Sequence, residues 1–179
     1  EITYGDWSSD VCSSDLPYIH ERFDHDLVIV SPDAGGVPRA RAYASRLKAG
    51  LALIDKRRID VNQAEAMNII GEVSGKTAII LDDMVDTAGT LVEATKTLLD
   101  HGAREVNACV THPILSGPAV ERIEKSSLNS LVVTDTLPLN PRAALCDRIE
   151  VVPSSRLFCQ AIRSIHNEDS ISNLFEILH

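Results

Sequence analysis

The sequence predicts an α/β protein with a mostly parallel central sheet flanked by helices. Apolar runs of strand length alternate with segments of helical periodicity along most of the 179 residues. That alternation is typical of βαβ units, in which a helix connects two parallel strands. With 44% hydrophobic residues and no internal repeat or low-complexity linker, we expect one well-packed domain.

The first half of the chain contains three predicted strands and one helix. The strands are "DLVIVS" at 26–31, "LALID" at 51–55 and "TAIILD" at 77–82. Between the first two, apolar residues recur near a 3.6-residue period over 35–50, which predicts a helix. Pro38 fits such a helix only in its first turn, because proline lacks the N–H that later turns require.

The second half continues the same alternation. A helix over 89–102 should end at Gly102, because glycine is favoured just after the last helical residue. The remaining predicted strands lie at 105–112, 130–135 and 149–153. The remaining predicted helices lie at 117–126 and 155–167.

Composition limits the classes of partner. A net charge of -9 and a pI near 5.0 argue against nucleic-acid binding, which needs a basic surface. We also expect no membrane association, since no run of some 18 apolar residues is present. The four cysteines show no metal-like spacing, so we expect reduced thiols. A cytoplasmic protein that binds small molecules is therefore predicted.

The first sixteen residues differ from the rest. The stretch "GDWSSDVCSSDL" has no apolar period and is similar to the translation of a common sequencing-library adapter. We therefore interpret residues 1–16 as an artefactual segment and exclude them from the fold prediction, which leaves a domain at 17–179.

Polar clusters follow the first three predicted strands. They are "SPDAGG" at 31–36, "DKRRIDVNQAEAMN" at 55–68 and "DDMVDTAGT" at 82–90. In open α/β sheets, ligands bind outside the carboxyl ends of the strands. We therefore expect these three loops to meet at one crevice.

The third cluster combines carboxylates with the start of a helix. Carboxylates at the end of an apolar strand are costly unless a divalent metal or sugar hydroxyls satisfy them. The first N–H groups of the following helix favour a phosphate, and Thr87 and Thr90 add hydroxyl donors. The cluster therefore predicts a sugar-phosphate site. The alternative is that Asp82 and Asp83 are solvated loop residues and that Asp86 or Thr87 caps the helix.

The motifs together resemble a known family. "ILDDMVDTAGTL" resembles the phosphoribosyl-pyrophosphate-binding motif of type I phosphoribosyltransferase folds. With "SPDAGG" and "DKRR" ahead of it, the chain is similar to the ribose-phosphate pyrophosphokinase family over roughly 17–179. The resemblance implies a type I phosphoribosyltransferase-like fold. It also implies transfer of the diphosphoryl group of ATP to the 1-hydroxyl of ribose 5-phosphate, giving phosphoribosyl pyrophosphate and AMP. It further implies Mg²⁺ as cofactor and self-association into hexamers of dimers.

The resemblance also implies residue roles. Asp82 and Asp83 would hold the ribose hydroxyls. The 5-phosphate would be bound by Asp86, Thr87, Ala88, Gly89 and Thr90. A Cβ at the glycine of this loop would hinder close approach of the backbone to the phosphate.

"DKRR" and "SPDAGG" supply the remaining site residues. Lys56 and Arg58 alternate on an extended segment and would be the catalytic pair, on a loop that closes over ATP. Without the other motifs, three basic residues in a row would indicate a solvated surface. The diphosphate loop would consist of Asp33, Ala34, Gly35 and Gly36. Asp33 would be the magnesium ligand, although an ordinary turn is the better explanation of this loop when it is taken alone.

Near the end of the chain, Ser170 and Ser172 are candidates for binding a regulatory phosphate, although Ser170 could also cap a helix.

Members of the family are longer and contain two similar domains. We therefore expect this chain to be a C-terminal domain that binds ribose 5-phosphate and is impaired or inactive alone. The alternatives are a salvage phosphoribosyltransferase and a non-catalytic, synthase-associated regulatory subunit. "DKRR" and "SPDAGG" argue against the first, and intact Lys56 and Arg58 argue against the second.

Overall fold

The computed structural model describes residues 15–23, 26–57 and 66–171. The strands are β1 (Leu27–Ser31), β2 (Gly50–Arg57), β3 (Ala66–Ile70), β4 (Thr77–Val85), β5 (Glu105–Pro113), β6 (Ser130–Thr134) and β7 (Ile149–Val152). The helices are α1 (Asp15–Arg22), α2 (Val37–Leu47), α3 (Gly89–Asp100), α4 (Ala119–Lys125) and α5 (Ser155–His166), and a 3-10 turn lies at Ala143–Leu145. In these three ranges no helix is long and apolar enough to cross a membrane.

The strands form one sheet in the order β3-β2-β1-β4-β5-β6-β7. Every neighbouring pair is parallel except β2 and β3, which are antiparallel. The predicted mostly parallel sheet is therefore confirmed. β1 lies between β2 and β4, so the strand order reverses there and the carboxyl ends of β1 and β4 border a crevice.

Two apolar layers cover the faces of the sheet. Side chains alternate along each strand, so Val28 and Ile80 contribute to one layer while Ile29 contributes to the other. The layer around Ile29 includes buried residues of α2, which are Ala40, Tyr43 and Ala44. The opposite layer includes buried residues of α3 and α4, among them Leu91, Leu98, Val120 and Ile123. Helices therefore flank both faces.

The ends of α2 and α3 follow the sequence signals. Pro38 lies in the first turn of α2, as predicted. Lys48 follows the last residue of α2, and its φ of 51° is in the left-handed region. Gly102 follows the last residues of α3 with a φ of 87°, a backbone conformation that glycine adopts without steric cost. The predicted end of α3 is therefore confirmed.

Three features differ from the sequence prediction. The expected loop at 55–68 includes the start of β3, which pairs antiparallel with β2. β4 continues three residues beyond its predicted end at 82, because its ladder with β5 extends to the pair Val85 and Pro113. α1 was not predicted at all, yet its Ile19 is fully buried in the layer around α2.

α1 also bears on the predicted boundary at 16/17. The helix begins at Asp15, so the boundary falls within its first turn. The Tyr18 hydroxyl donates to the Glu150 carboxylate of β7, and Arg22 pairs with the same carboxylate at 2.7 Å. Residues 1–14 lie outside the described ranges. The interpretation of residues 1–16 as an artefact stays a prediction.

Candidate functional site

Two of the three predicted site loops leave the sheet at adjacent points. Val30 near the end of β1 pairs in register with Ile80 of β4. The diphosphate loop follows β1 directly, and the acidic residues occupy the continuation of β4. Most of the third loop, which follows β2, lies outside the described residues. The crevice is therefore bordered by the carboxyl ends of β1 and β4.

The diphosphate loop is held by its own hydrogen bonds. The backbone N–H of Gly36 donates to Asp33 Oδ1 at 2.9 Å, and Ser31 Oγ donates to the Asp33 carbonyl oxygen at 2.7 Å. A Cβ added at Gly36 would lie 2.7 Å from Ser31 Oγ, a distance that real Cβ atoms do not tolerate. Glycine is therefore required at this position by close approach of the loop to β1.

The loop after β1 offers a carboxylate, that of Asp33, as a possible ligand for Mg²⁺. No group of three or more His, Cys, Asp or Glu side chains among the described residues could hold a metal ion. Mg²⁺ at phosphate sites typically takes one or two carboxylates and completes its shell with waters and phosphate oxygens. The exposed Asp33 carboxylate accepts the Gly36 N–H through Oδ1. The site thus fits a magnesium ion that arrives with a phosphorylated ligand.

Asp82 and Asp83 are half-buried within β4, not in a solvated loop after it. The Asp83 N–H donates to Asp82 Oδ1 at 2.9 Å. Burial, followed by a side-chain hydrogen bond with Asp83 and the charge of Asp83, raises the pKa of the Asp82 carboxyl to about 6. The hydrogen bond from the Asp83 N–H and the charge of Arg39 act in the opposite direction. This carboxyl therefore titrates close to neutrality.

The loop that follows β4 leads into α3, whose N-terminus has no side-chain cap. Ala88 precedes the first residue of α3 and has a φ of 57°, which is uncommon for a residue with a Cβ. No side chain caps the helix, so the alternative that Asp86 or Thr87 is the cap is wrong. The first N–H groups of α3 are therefore open to an anion. Thr87 and Thr90 are exposed beside them.

Two residues beyond β5 hold this loop, and the sequence analysis missed both. Ser116 Oγ donates to the Asp86 carboxylate, and the Ser116 N–H donates to the Asp86 carbonyl oxygen at 3.0 Å. From α4, Arg122 Nη1 donates to the Thr87 carbonyl oxygen at 2.9 Å. The sequence did contain a signal for these two residues: they belong to "SGPAVER", which follows β5. Because β5 pairs in parallel with β4, the segments after both strands leave the sheet side by side.

Arg39 is a third residue that sequence reasoning missed. It lies in the first turn of α2, and its buried Nε and Nη1 atoms have no hydrogen-bond partner. Its charge lowers the pKa of Asp82, as described above. The signal in the sequence was an arginine three residues after the second glycine of "SPDAGG".

The remaining predicted residues are only partly described. Lys56 lies in β2 opposite Met67 of β3, while Arg58 lies outside the described residues. Ser170 is exposed after α5, and Ser172 also lies outside the described ranges. The catalytic and regulatory assignments of these four positions in the chain stay predictions.

Comparison with known proteins gives a consistent result. A family profile described as phosphoribosyl synthetase-associated domain matches residues 57–176. The chain is 52% identical over 158 residues to the ribose-phosphate pyrophosphokinase of Caldanaerobacter subterraneus subsp. tengcongensis and 57% identical over 150 residues to that of Bordetella pertussis. These alignments cover 88% and 84% of this chain but 50% and 48% of the two relatives. The chain therefore spans about half the length of the curated relatives it matches.

Solved structures show the same likeness. The phosphoribosylpyrophosphate synthetase of Mycobacterium smegmatis superposes with a TM-score of 0.78 and 34% identity, over 87% of this chain and 51% of that one. The orotate phosphoribosyltransferase of Aeropyrum pernix reaches a TM-score of 0.53 at 18% identity, over 89% of this chain and 79% of that one. At so low an identity, the second match shows likeness of fold alone.

Proposed function

This chain belongs to the family of phosphoribosyl synthetase-associated domains, and from that membership we propose that it is the C-terminal domain of a ribose-phosphate diphosphokinase. The longer enzyme transfers the diphosphoryl group of ATP to the 1-hydroxyl of ribose 5-phosphate, giving phosphoribosyl pyrophosphate and AMP. One observation carries the proposal: two half-buried carboxylates on β4 are followed, after a short loop, by the uncapped N-terminus of α3. That pairing suits a ligand with hydroxyls at one end and a phosphate at the other.

Ribose binding is assigned to the acids of β4. Ionised carboxylates accept hydrogen bonds from the hydroxyls of a sugar, and such charge-assisted bonds are stronger than neutral ones. Asp82 and Asp83 supply up to four acceptor oxygens, one of which already accepts the Asp83 N–H. Because the pKa of Asp82 is raised to about 6, this acceptor is ionised at neutral pH and lost below it.

The 5-phosphate is assigned to residues 86–90. The free N–H groups at the start of α3 and the positive end of the helix dipole favour an anion. Thr87 and Thr90 donate hydroxyls, and the Arg122 guanidinium adds positive charge beside Gly89. A Cβ at Gly89 would lie 3.4 Å from Arg122 Nη1, so the guanidinium is next to the loop at this position.

The diphosphoryl group and its magnesium ion are assigned to the loop after β1. The backbone of Gly35 and Gly36 gives the close approach that phosphate oxygens need, and the Asp33 carboxylate would hold Mg²⁺. When bound, the ion neutralises negative charge on the phosphates. Lys56 and Arg58 are proposed as the catalytic pair that stabilises charge during transfer, with Ser170 and Ser172 as regulatory candidates.

The half-length of the chain limits what it does alone. We assign to it ribose 5-phosphate binding, with little or no turnover. ATP binding, self-association and cytoplasmic location are proposed for the longer protein. Because both substrates must be held in line for transfer, a domain that fixes only one of them loses most of the rate enhancement that comes from positioning.

Calorimetry with ribose 5-phosphate tests the binding assignment. We expect the unmutated chain to bind it, and Asp86→Ala to weaken binding at least tenfold, because the loop loses its bond to Ser116. Asp100→Ala is the matched control, since it removes an exposed carboxylate at the other end of α3. Ribose without phosphate should bind more weakly than ribose 5-phosphate. Unchanged affinity in the Asp86 variant would exclude the phosphate assignment.

A further inference from the structure

The loop that follows β4 is tied to the segment that follows β5 by three hydrogen bonds. The carbonyl oxygens of residues 85–87 each accept a bond from that segment. The donors, in the same order, are the Leu115 N–H at 3.0 Å, the Ser116 N–H at 3.0 Å and Arg122 Nη1 at 2.9 Å. The first two bonds are made by the backbone, whereas the third depends on the Arg122 side chain.

These bonds fix the direction in which the N–H groups of the loop point. Every peptide bond in the described residues is trans, so the C=O and N–H of each peptide point in opposite directions. Since the three carbonyl groups face the segment after β5, the N–H groups of residues 86–88 point away from it. β4 lies between β5 and β1, so these N–H groups are turned toward the crevice that β1 and β4 border.

The peptide that Arg122 holds is followed by a strained residue. Ala88 is buried and has a φ of 57°, and in this left-handed region its Cβ crowds the following carbonyl oxygen. Rotation of the Thr87–Ala88 peptide about its two flanking bonds would bring this φ to a negative value and relieve the crowding. The same rotation would turn the Thr87 carbonyl oxygen into the crevice and the Ala88 N–H out of it. The bond from Arg122 opposes that rotation, because the rotation would break it.

Arg122 differs in its partner from the other cations on or beside α4. Lys125 pairs with Glu121 at 2.6 Å, and Arg142 pairs with Glu124 at 2.8 Å. Arg122 forms an ion pair with none of the carboxylates in the part of the chain that the structure describes, and its side chain instead donates to the loop. A surface ion pair therefore does not account for the arginine at this position.

We propose that Arg122 is a positioning residue of the 5-phosphate loop, whose bond to the Thr87 carbonyl oxygen keeps the Ala88 N–H directed into the crevice although Ala88 is strained in that conformation. The phosphate in this statement rests on the proposed function. The orientation of the peptide does not, because it is a property of the unliganded chain. The two are therefore separable by experiment.

NMR measures the orientation without a ligand, because the three-bond coupling between the amide and Cα protons of Ala88 depends on its φ. We expect Arg122→Met to increase this coupling, since part of the population rotates to a negative, extended φ. Arg142→Met is the matched control, because it removes the same charge from an exposed arginine that bonds to Glu124 and not to the loop. Its coupling should equal that of the unmutated chain. No increase in the Arg122 variant, or an equal increase in both variants, would overturn the proposal.

Calorimetry with ribose 5-phosphate gives a second readout. Arg122→Met should lower the affinity about tenfold, the usual effect of losing one hydrogen bond from a charged group. Adding Ala88→Gly to this variant should recover about threefold or more, because glycine adopts the left-handed conformation without steric cost and needs no bond from Arg122 to stay there. Attraction of the phosphate by the charge of Arg122 alone would give no such recovery.

The outcomes distinguish this role from the proposed function. The same loss of affinity with alanine and with glycine at position 88 would overturn the positioning role and leave the phosphate site in place. An unmutated chain that binds no ribose 5-phosphate would contradict the proposed function only, because the coupling of Ala88 still decides the role of Arg122. Arg122 is exposed, so we expect its variant to fold. Urea unfolding checks this, and Arg122→Gln replaces Arg122→Met if the latter does not fold.

Discussion

Asp82 is the residue at which stability and binding oppose each other. Its pKa is raised from an ordinary 3.8 to about 6, so the folded chain holds the proton more tightly than the unfolded chain does. Stability therefore falls as the pH rises from about 4 to about 6, and the cost of the ionised carboxyl is fully present at pH 7. Binding of a sugar requires that ionised form.

Asp82→Asn should stabilise the chain at pH 7 while weakening ribose 5-phosphate binding. The pKa shift corresponds to about 3 kcal/mol at most. Since the carboxyl is only partly buried, solvent screening reduces the expected gain in the free energy of unfolding to roughly 1 kcal/mol. Urea unfolding at several pH values measures it. The gain should vanish below about pH 4, where both states of the unmutated carboxyl are protonated, and a gain that is independent of pH would refute the assignment.

The chemical types of the site residues were predictable, but their partners were not. Carboxylates followed by a small-residue turn predicted a sugar-phosphate site from local sequence alone. Ser116 and Arg122 contact the loop after β4 because the pairing of β4 and β5 brings segments far apart in the sequence together. Arg39 lies beside Gly36 in the loop after β1. The positions of these residues relative to the motifs were visible in the sequence, but their contacts emerged only from the structure.

At the scale of elements, periodicity predicted the buried strands and helices, but it missed β3 and α1 and ended β4 too early. β3 is a five-residue edge strand, and its short apolar stretch follows a polar cluster. β4 continues through Asp82 and Asp83 because pairing with β5 overrides the polar character of those residues. α1 was missed because its first residues were assigned to the segment excluded from the fold prediction.

α3 connects the candidate phosphate site to the core, and Leu98 anchors it. Leu98 is fully buried in the layer shared with β4 and β5. Leu98→Ala should lower the free energy of unfolding by about 2 to 5 kcal/mol, because it leaves a cavity that the sheet cannot fill. Urea unfolding measures the loss.

Ile162→Ala is the control for this prediction. Ile162 lies on α5, a helix with no buried residue, and is 66% exposed. Removing its side chain should change the free energy of unfolding by less than about 0.5 kcal/mol, the usual range for surface substitutions. Equal losses in the two variants would mean that the apolar face of α5 is covered in solution, contrary to its exposure here.

At the scale of the whole molecule, the sheet order brings together, within the described residues, the two loops to which we assign sugar and phosphate binding. β1 and β4 are adjacent, and the loops that follow them lie within one domain. No second domain is needed to bring Asp82 close to the start of α3. Transfer of a diphosphoryl group adds a further requirement, since ATP must be held in line with the ribose hydroxyl.

A chimera tests that division between binding and turnover. Residues 17–179 would replace the corresponding half of the Bordetella pertussis relative, which is 57% identical over the 150 aligned residues. We expect the chimera to form phosphoribosyl pyrophosphate from ATP, Mg²⁺ and ribose 5-phosphate, and the isolated chain to form little or none. In the chimera, Lys56→Ala should lower kcat by orders of magnitude with little change in ribose 5-phosphate affinity, because its charge acts on the transferring group.

Lys125→Ala is the control for the Lys56 variant, because Lys125 is paired with Glu121 on α4 at 2.6 Å and its removal should leave kcat unchanged. The two lysines carry the same charge, so a general effect of net charge would appear in both variants. Turnover that survives loss of Lys56 would remove the catalytic role of "DKRR" and leave the binding site intact. Turnover by the isolated chain would show that positioning by a second domain is dispensable, and the ATP site would then have to lie within the crevice between β1 and β4.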